Sequence, residues 1–389
     1  MGLGTTSASN RPKKAVIAGH ICVDFTPPMI SPAAGTGRRI EDFLTPGKLV
    51  QVGPAYLHPG GVVVNTGLTM KFLGAEVTLM GKTGDDPLGH IIRDFLEGYD
   101  AAGGLIVDPA ADTSYTVVLA PPGIDRVFLH NPGANDVFTA SDIDYAACES
   151  ALLFHFGYPP LMRRMYRDGG RELVEIFRRV KERGCLTSLD MAAVDETSEA
   201  GRADWDAILR ETLPYVDFFM PSVEEVCFMV DRSRYHALQE RAAGGDVTQI
   251  LSIQEDVVPL AEHLMNMGCK VALIKCGAAG MYCRTAGTEA FDSLRALTGL
   301  KFEDFAGQSI YERSFVPEAV VSGTGAGDAA IGAFLTALMR GYPLKWCLHL
   351  AAAEGACCVA ALDALSGLKT LDDLEAKING GWARQGGGA

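Results

Sequence analysis

Residues 320–334 read VVSGTGAGDAAIGAF, a glycine-rich turn that opens onto a run of small and apolar residues. The backbone N–H groups in the first turn of a helix have no intrahelical partner, and the helix dipole places partial positive charge beside them. Gly325, Ala326 and Gly327 offer little side-chain bulk, so an oxyanion can approach their amides closely. The stretch therefore predicts an anion-binding helix start.

The same stretch carries one carboxylate, Asp328, directly behind these small residues. A carboxylate repels a phosphate, so Asp328 is a poor phosphate ligand. It can instead accept a proton from a hydroxyl group that attacks phosphorus, and phosphoryl transfer needs both charge stabilisation and such a base. An ordinary glycine-rich loop with an aspartate near a helix start is the alternative for these residues alone.

Around this turn, apolar runs of strand length alternate with segments of helical period. The predicted strands cover residues 14–21, 76–84, 151–157, 185–191, 216–222 and 270–277. The predicted helices cover residues 62–74, 87–98, 163–184, 328–341 and 344–364. Such alternation is typical of an α/β fold with a mainly parallel sheet between two layers of helices.

Two segments interrupt this alternation. Residues 25–58 are rich in proline, glycine and polar residues, and residues 113–130 have the pattern of a hairpin of β-branched residues around PPGID. We expect segments 25–58 and 108–132 to form a small β lid on a single domain that spans residues 14–378. Two mere surface excursions are the alternative.

Four other segments lack a regular pattern. We expect irregular insertions at residues 231–254 and 285–313. We expect flexible ends at residues 1–13 and 379–389.

The composition argues against several classes of protein. The chain of 389 residues has a formal net charge of -14 and no long basic run, so we expect no binding to nucleic acid or to an anionic membrane. No apolar stretch reaches the ~18–20 residues that span a bilayer, and the N-terminus lacks the apolar core of a signal peptide. The ten cysteines form no CxxC pair, which favours a reduced, cytoplasmic protein, and the histidines lack zinc-binding spacing.

Three well-known phosphate-binding motifs are missing from the sequence. There is no GxxxxGK[ST], which argues against a P-loop enzyme, and no HRD or DFG, which argues against a protein kinase. The first predicted strand leads into GHICVDF rather than GxGxxG, which argues against a dinucleotide-binding fold.

The N-terminal part of the chain holds a second group of candidate ligands. Asp24 follows the first predicted strand, and Asn65 lies four residues after Gly61 in PGGVVVNTG. An aspartate accepts from hydroxyl groups, an asparagine both donates and accepts, and glycines permit close approach, so together they can bind a polyhydroxylated ligand. Taken singly, Asp24 is also compatible with a loop carboxylate and Asn65 with a capping residue.

These motifs together resemble those of the PfkB, or ribokinase-like, family of carbohydrate and nucleoside kinases, in the family's order and over residues 14–378. The five matching stretches are GHICVDF (19–25), PGGVVVNTG (59–67), LMGKTGDDPLG (79–89), TSYTVVLAPPGIDRVFLHNPGAN (113–135) and VSGTGAGDAAIGAF (321–334). The resemblance implies a ribokinase-like three-layer α/β/α fold with a small β lid. It also implies an ATP-dependent kinase that phosphorylates a sugar or sugar-like hydroxyl.

The resemblance also implies roles for individual residues. By match, Asp328 is the catalytic base, and the anion hole comprises Gly325, Ala326 and Gly327. The residues matched to sugar binding are Asp24, Gly60, Gly61 and Asn65. IKCGAAG matches a nucleotide-contacting loop, which points to Lys275, Gly277 and Gly280.

Several residues depart from the family pattern. Ser322 and Gly323 replace a usual Asp-Thr pair, which weakens the expectation of a monovalent-cation site. Ser222 replaces the asparagine of a magnesium-linked motif, but Glu225 remains, so we expect Mg²⁺ to be held indirectly through water. Gly157 stands where some ribokinases have an acidic sugar ligand, so ribose specificity is not supported.

The sequence leaves the role of Lys275 and the exact activity open. Lys275 stands where a threonine is common, and it fits either a contact with an ATP phosphate or a solvated side chain. A nucleoside kinase of the same fold and a catalytically weak sugar- or nucleotide-binding sensor are the alternatives to a carbohydrate kinase. A homodimer is a further expectation from the family.

Overall fold

The structure is a computed structural model of the chain that describes residues 13–29, 44, 46–47, 49–119, 121 and 127–386. The predicted flexible N-terminus lies outside these residues apart from Lys13, and so does much of the predicted lid segment 25–58.

The strands and helices of the described residues follow one another in the predicted α/β alternation. The strands are β1 (Lys14–Gly19), β2 (Cys22–Thr26), β3 (Tyr56–Gly60), β4 (Glu76–Met80), β5 (Lys82–Gly84), β6 (Ile106–Asp108), β7 (Tyr115–Leu119), β8 (Val127–Asn131), β9 (Leu153–Gly157), β10 (Leu186–Asp190), β11 (Phe218–Phe219), β12 (Val271–Lys275), β13 (Met281–Thr285) and β14 (Ser309–Glu312). The helices are α1 (Val62–Phe72), α2 (Pro87–Glu97), α3 (Tyr145–Glu149), α4 (Arg163–Tyr166), α5 (Arg171–Glu182), α6 (Trp205–Thr212), α7 (Val223–Val230), α8 (Arg232–Ala242), α9 (Val258–Asn266), α10 (Thr288–Thr298), α11 (Ala326–Arg340), α12 (Leu344–Cys358) and α13 (Leu371–Asn379).

A mainly parallel sheet forms the centre of the fold. Its strand order is β14-β13-β12-β11-β10-β9-β1-β4, with parallel pairing from β12 to β4 and antiparallel pairing of β13 with both its neighbours. Parallel strands need crossover connections, which here are the helices that cover the sheet. The predicted three-layer α/β/α architecture is confirmed.

Apolar cores cover both faces of this sheet. Along β1, Ala15 and Ile17 belong to one core, whereas Val16 and Ala18 belong to the other, because successive side chains of a strand point to opposite faces. This explains why the central strands read as continuous apolar runs. The ten cysteines are free and buried. No helix among the described residues is long and apolar enough to cross a membrane.

A second, smaller sheet lies outside the central one. Its strand order is β3-β2-β7-β8, and β7 and β8 pair as the predicted hairpin. The chain enters it directly from β1, since only His20 and Ile21 separate β1 from β2. Its strands include residues 25–26, 56–58, 115–119 and 127–131 of the predicted lid segments 25–58 and 108–132. Its closure over a substrate stays a prediction.

Two segments expected to be irregular contain regular elements. Residues 231–254 include α8, which begins where the Asp231 side chain accepts from the Arg234 amide. This helix buries mainly Leu238, so it lacks the apolar period by which a helix is recognised. Residues 285–313 include α10 and the edge strand β14.

The C-terminal residues also differ from the expected flexible end. The Trp382 ring stacks on Phe315 at 4.6 Å, and the backbone at Arg384 forms an antiparallel bridge with Phe315. Arg313 donates to the Gln385 carbonyl oxygen at 2.8 Å. Residues 380–386 therefore lie along the chain that follows β14, a placement set by contacts between distant segments.

Candidate active site

Polar side chains gather at one edge of the central sheet, where its parallel strands end. The residues at or just beyond the carboxyl ends of β1, β9, β10 and β12 are His20, Tyr158, Asp190 and Lys275. Ligand sites of open α/β sheets lie at the carboxyl ends of their strands. This edge is therefore the candidate active site.

Asp328 is the third residue of α11 and lies buried at this edge, with 3% of its surface exposed. Its Oδ2 accepts hydrogen bonds from Asn65 Nδ2 at 3.0 Å and from the Tyr158 hydroxyl at 2.7 Å. Its Oδ1 accepts from the Thr66 hydroxyl at 3.0 Å. Three donors suit a carboxylate, which can only accept. Burial and the nearby charge of Asp328 raise the pKa of Tyr158 well above its usual value, so its hydroxyl remains a donor.

Small residues allow α1 to approach Asp328. Gly332 of α11 faces Thr69 of α1 so closely that a Cβ on it would lie 2.7 Å from Thr69 Cγ2. Gly325, just before α11, has a φ of 75° and would place a Cβ 2.2 Å from the Cβ of Ala364. A larger residue at either position would displace its neighbour. The small-residue pattern of the turn thus positions Asn65 and Thr66 of α1 as well as the turn itself.

Lys275 lies beside the turn at the end of β12. Its Nζ donates to Asp190 Oδ1 at 2.6 Å and would be 3.5 Å from a Cβ built on Gly327. Burial raises the pKa of Asp190, an effect that Lys275 opposes. Burial by itself lowers the pKa of Lys275, but neighbouring carboxylates, Asp190 foremost, outweigh burial and raise it. The Lys275 ammonium is therefore charged and close to the predicted anion hole.

A cavity of about 610 Å³ unites the predicted catalytic and nucleotide residues. Those that line it are Gly325, Ala326, Gly327, Asp328, Lys275, Gly277, Gly280 and Glu225. Small residues of α12 form another part of its wall, namely Ala351, Ala352, Gly355 and Ala356. The cavity thus combines a polar end at the turn with a wall of little side-chain bulk.

Glu225 lines this cavity from the start of α7. Its Oε2 accepts from the Ser222 amide at 2.6 Å, and the Ser222 hydroxyl accepts from the Glu225 amide at 3.3 Å. The two residues form a capping box that fixes the helix start. No group of three or more His, Cys, Asp and Glu side chains among the described residues is arranged to hold a metal directly. Glu225 therefore fits a contact with hydrated Mg²⁺ better than direct ligation.

The predicted sugar residues lie on the other side of Asp328, on and beside the small sheet. Asp24 is half-buried on β2, where Cys22 Sγ donates to its Oδ1 at 3.4 Å. Gly60 pairs with this strand so closely that a Cβ on it would lie 2.4 Å from Asp24 Oδ2. Burial raises the pKa of Asp24, hydrogen bonds from Cys22 and Thr116 oppose the shift, and the charge of Asp328 adds to it. Gly61 precedes α1.

The sequence reasoning placed Asn65 among the sugar ligands, and the structure also bonds its amide to Asp328. The sequence reasoning did not identify Thr66, Tyr158 and Asp190 as residues of the site. The position of Asp190 at the end of a predicted strand was an available signal, because such ends line α/β sites. The Ser322 hydroxyl accepts from the Thr324 amide at 3.1 Å within the turn.

Fold and site together match what is expected of an α/β phosphotransferase, with a buried carboxylate and a lysine beside the helix start that is predicted to bind an anion. A sequence profile described as pfkB family carbohydrate kinase matches residues 38–371. The chain belongs to this family and is an ATP-dependent sugar kinase.

Relatives and solved structures agree with this assignment. Fructokinase-2 of Zea mays is 26% identical over 347 residues, which cover 85% of this chain and 89% of the relative. Fructokinase-2 of Oryza sativa subsp. japonica is 28% identical over a shorter stretch, 57% of this chain and 62% of the relative. An Arabidopsis thaliana ribokinase complexed with ribose and ATP has a TM-score of 0.67 at 18% identity, with 94% of this chain and 98% of that chain covered. At that identity, the likeness supports the fold.

Proposed function

We propose that this kinase transfers the γ-phosphate of ATP to a sugar hydroxyl with Asp328 as the base. The observation that carries the proposal is that Asp328 lines the cavity with Lys275 and also interacts with the predicted sugar residues. Its carboxylate accepts a hydrogen bond from Asn65, and its charge acts on Asp24. A base between phosphate and hydroxyl is what in-line transfer requires.

The residues around Asp328 have separable roles in this proposal. Asn65, Thr66 and Tyr158 hold its carboxylate in one orientation through their hydrogen bonds. In the predicted anion hole of Gly325, Ala326 and Gly327, the backbone amides at the start of α11 stabilise the charge that develops on the transferred phosphoryl group. These donors are fixed before substrate binds, so little reorganisation opposes the reaction.

On the nucleotide side, Lys275 neutralises phosphate charge, and Gly277 and Gly280 line the cavity that receives ATP. Mg²⁺, when bound with the nucleotide, would offset phosphate charge, and Glu225 would hold it through water. The capping box of Glu225 with Ser222 keeps this carboxylate at the cavity without the family's asparagine.

D-fructose is the first acceptor to test, because relatives that match over 347 and 230 residues are named Fructokinase-2. A nucleoside is the second candidate, as a nucleoside kinase of Methanocaldococcus jannaschii shares the fold with a TM-score of 0.64. An acidic sugar ligand at position 157 is sterically excluded, since a Cβ on Gly157 would lie 2.4 Å from Val62 Cγ2.

A coupled assay of ADP release across D-fructose, D-ribose, D-glucose and adenosine tests the proposal. We expect sugar-dependent turnover with ATP and Mg²⁺ that is highest for D-fructose and is lost in Asp328→Asn. Turnover with adenosine alone would favour the nucleoside kinase. Sugar binding without turnover in the wild-type protein would favour the sensor and contradict the proposal.

A further inference from the structure

His20 is a buried imidazole without hydrogen bonds. Its exposed fraction is 2%, and neither Nδ1 nor Nε2 has a hydrogen-bond partner among the described residues. A buried polar group without a partner costs free energy, so it calls for an explanation, such as a ligand or a water that completes its hydrogen bonds. His20 is not part of the mechanism proposed above.

A row of polar residues crosses the small sheet next to His20. Asp24 of β2 pairs with His58 of β3 and with Thr116 of β7, and Thr116 pairs with His130 of β8. Residues in register on neighbouring strands share a face of the sheet, so these four side chains lie on one face. The Thr116 hydroxyl is 3.0 Å from His130 Nδ1, whereas His130 Nε2 is buried and has no hydrogen-bond partner among the described residues.

The two imidazoles without partners lie close to each other and to the base. The rings of His20 and His130 are 5.3 Å apart, and the His20 ring is 5.9 Å from that of Tyr158. The Tyr158 hydroxyl is bonded to Asp328. A Cβ on Gly61, a residue matched to sugar binding, would lie 2.7 Å from His20 Nδ1. The unused nitrogens therefore belong to the acceptor side of the site.

We propose that His20 and His130 bind hydroxyl groups of the acceptor and thereby select an uncharged polyol over a sugar acid. The proposal rests on the proposed function and names the acceptor class of the same site. The bound polyol supplies the hydrogen-bond partners that the free protein lacks at His20 Nε2 and His130 Nε2.

The chemistry of the two rings favours a hydroxyl over an anion. Burial lowers the pKa of His20, with a further contribution from His130, and burial lowers the pKa of His130. A neutral imidazole has one donor and one acceptor nitrogen, which matches a hydroxyl, whereas a carboxylate only accepts. The carboxylates of Asp24 and Asp328 would also repel an anionic acceptor.

Phenylalanine substitutions test the proposal because they keep a ring and remove the nitrogens. We expect His20→Phe and His130→Phe to raise KM for D-fructose by roughly 5- to 150-fold, since a substrate hydroxyl then loses its partner. KM for ATP should stay within about twofold of the wild-type value. His20→Phe should also raise the melting temperature of the free protein, because it removes two buried nitrogens without partners. A purely structural histidine would not give this combination.

His155 provides the matched control. It is buried in β9 of the central sheet, its Nδ1 contacts the Ser188 hydroxyl at 3.0 Å, and its Nε2 has no hydrogen-bond partner among the described residues. It therefore has the same bonding pattern as His130, away from the acceptor side. We expect His155→Phe to leave KM for D-fructose unchanged.

D-gluconate is added to the panel of acceptors. Side-chain ¹⁵N spectra of the histidines provide a separate measurement of binding. D-fructose should shift the ring signals of His20 and His130 in Asp328→Asn, so binding is seen independently of turnover. Unchanged KM values in both phenylalanine variants, or better turnover of D-gluconate than of D-fructose, would overturn the inference while leaving a sugar kinase. Shifted ring signals with no turnover of any acceptor by the wild-type protein would uphold the inference and reject the proposed reaction. Absence of ring shifts would overturn the inference.

Discussion

Replacing Asp328 with asparagine removes the proposed base and keeps the hydrogen bonds that surround it. The carboxylate now takes three hydrogen bonds, from Asn65, Thr66 and Tyr158. An asparagine that keeps its oxygen toward Asn65 and Tyr158 would turn its amide toward the Thr66 hydroxyl, which can accept as well as donate. The substitution therefore retains all three contacts in neutral form.

The expected effects differ greatly between stability and turnover. Neutral hydrogen bonds are weaker than those to a charged group, so the free energy of unfolding should fall by no more than about 1–2 kcal/mol. Asparagine cannot take a proton from the acceptor hydroxyl, and a positioned base contributes about 100- to 10,000-fold. The affinity for ATP should be equal or slightly higher, because a negative charge beside the γ-phosphate is removed.

Coupled assays with ATP and D-fructose measure turnover, and titration of each ligand measures binding. Asp206→Asn is the control, since it makes the same chemical change at a partly exposed residue that pairs with Arg210 on α6. Turnover of Asp328→Asn within tenfold of the wild-type value, with both ligands bound, would refute the assignment of Asp328 as the base. The turn would then be a phosphate site only.

Three further outcomes are expected. Asp24→Ala should raise KM for the sugar by roughly 5- to 150-fold and leave KM for ATP unchanged, because it removes a polyol ligand on the acceptor side. Burial raises the pKa of Glu354 from its usual value near 4.5 to about 8, so the folded state favours the protonated form. Wild-type stability should therefore fall as pH rises from about 4.5 through about 8, and Glu354→Gln should be more stable at pH 8 by up to about 4 kcal/mol in urea unfolding. Deletion of residues 381–389 should raise KM for ATP by roughly two- to tenfold, because Gln385 lines the cavity and the stacking of Trp382 on Phe315 is lost.

Each of these outcomes has a control and a contrary result. Asp24→Asn should weaken sugar binding less than alanine does, and a weakened affinity for ATP alone would reassign Asp24 to the nucleotide side. A stability difference between Glu354→Gln and the wild-type protein that persists at pH 5 would show that protonation of Glu354 is not its cause. Trp382→Phe should keep KM for ATP near the wild-type value, and an unchanged KM after the deletion would separate the tail from the cavity.

Regular elements with apolar patterns could be predicted from the sequence, and elements specified by distant contacts could not. The parallel strands of the central sheet are apolar on both faces, and α11 and α12 are long runs of small and apolar residues, so both were predicted. Helix α8 buries little beyond Leu238, and its start depends on the capping contact of Asp231. The packed C-terminal residues depend on Phe315, which lies 67 positions before Trp382 in the chain.

The same distinction applies to the site. The glycine-rich turn and Asp328 form a local pattern with a direct physical meaning, and the structure brings them together with Lys275 and Glu225 in one cavity. Tyr158, which donates to Asp328, has a left-handed backbone with a φ of 64° just beyond the end of β9. A non-glycine residue in this conformation is uncommon, and no sequence pattern indicates it.

The charges of the cavity give the metal its place in the proposed reaction. The carboxyl and ammonium groups that line it are those of Asp190, Glu225, Asp246, Asp328 and Lys275, so the carboxyl groups are in excess. A triphosphate adds further negative charge, and Lys275 already pairs with Asp190. We infer that ATP enters with a divalent cation, because the nucleotide alone would meet net repulsion that the start of α11 offsets only in part.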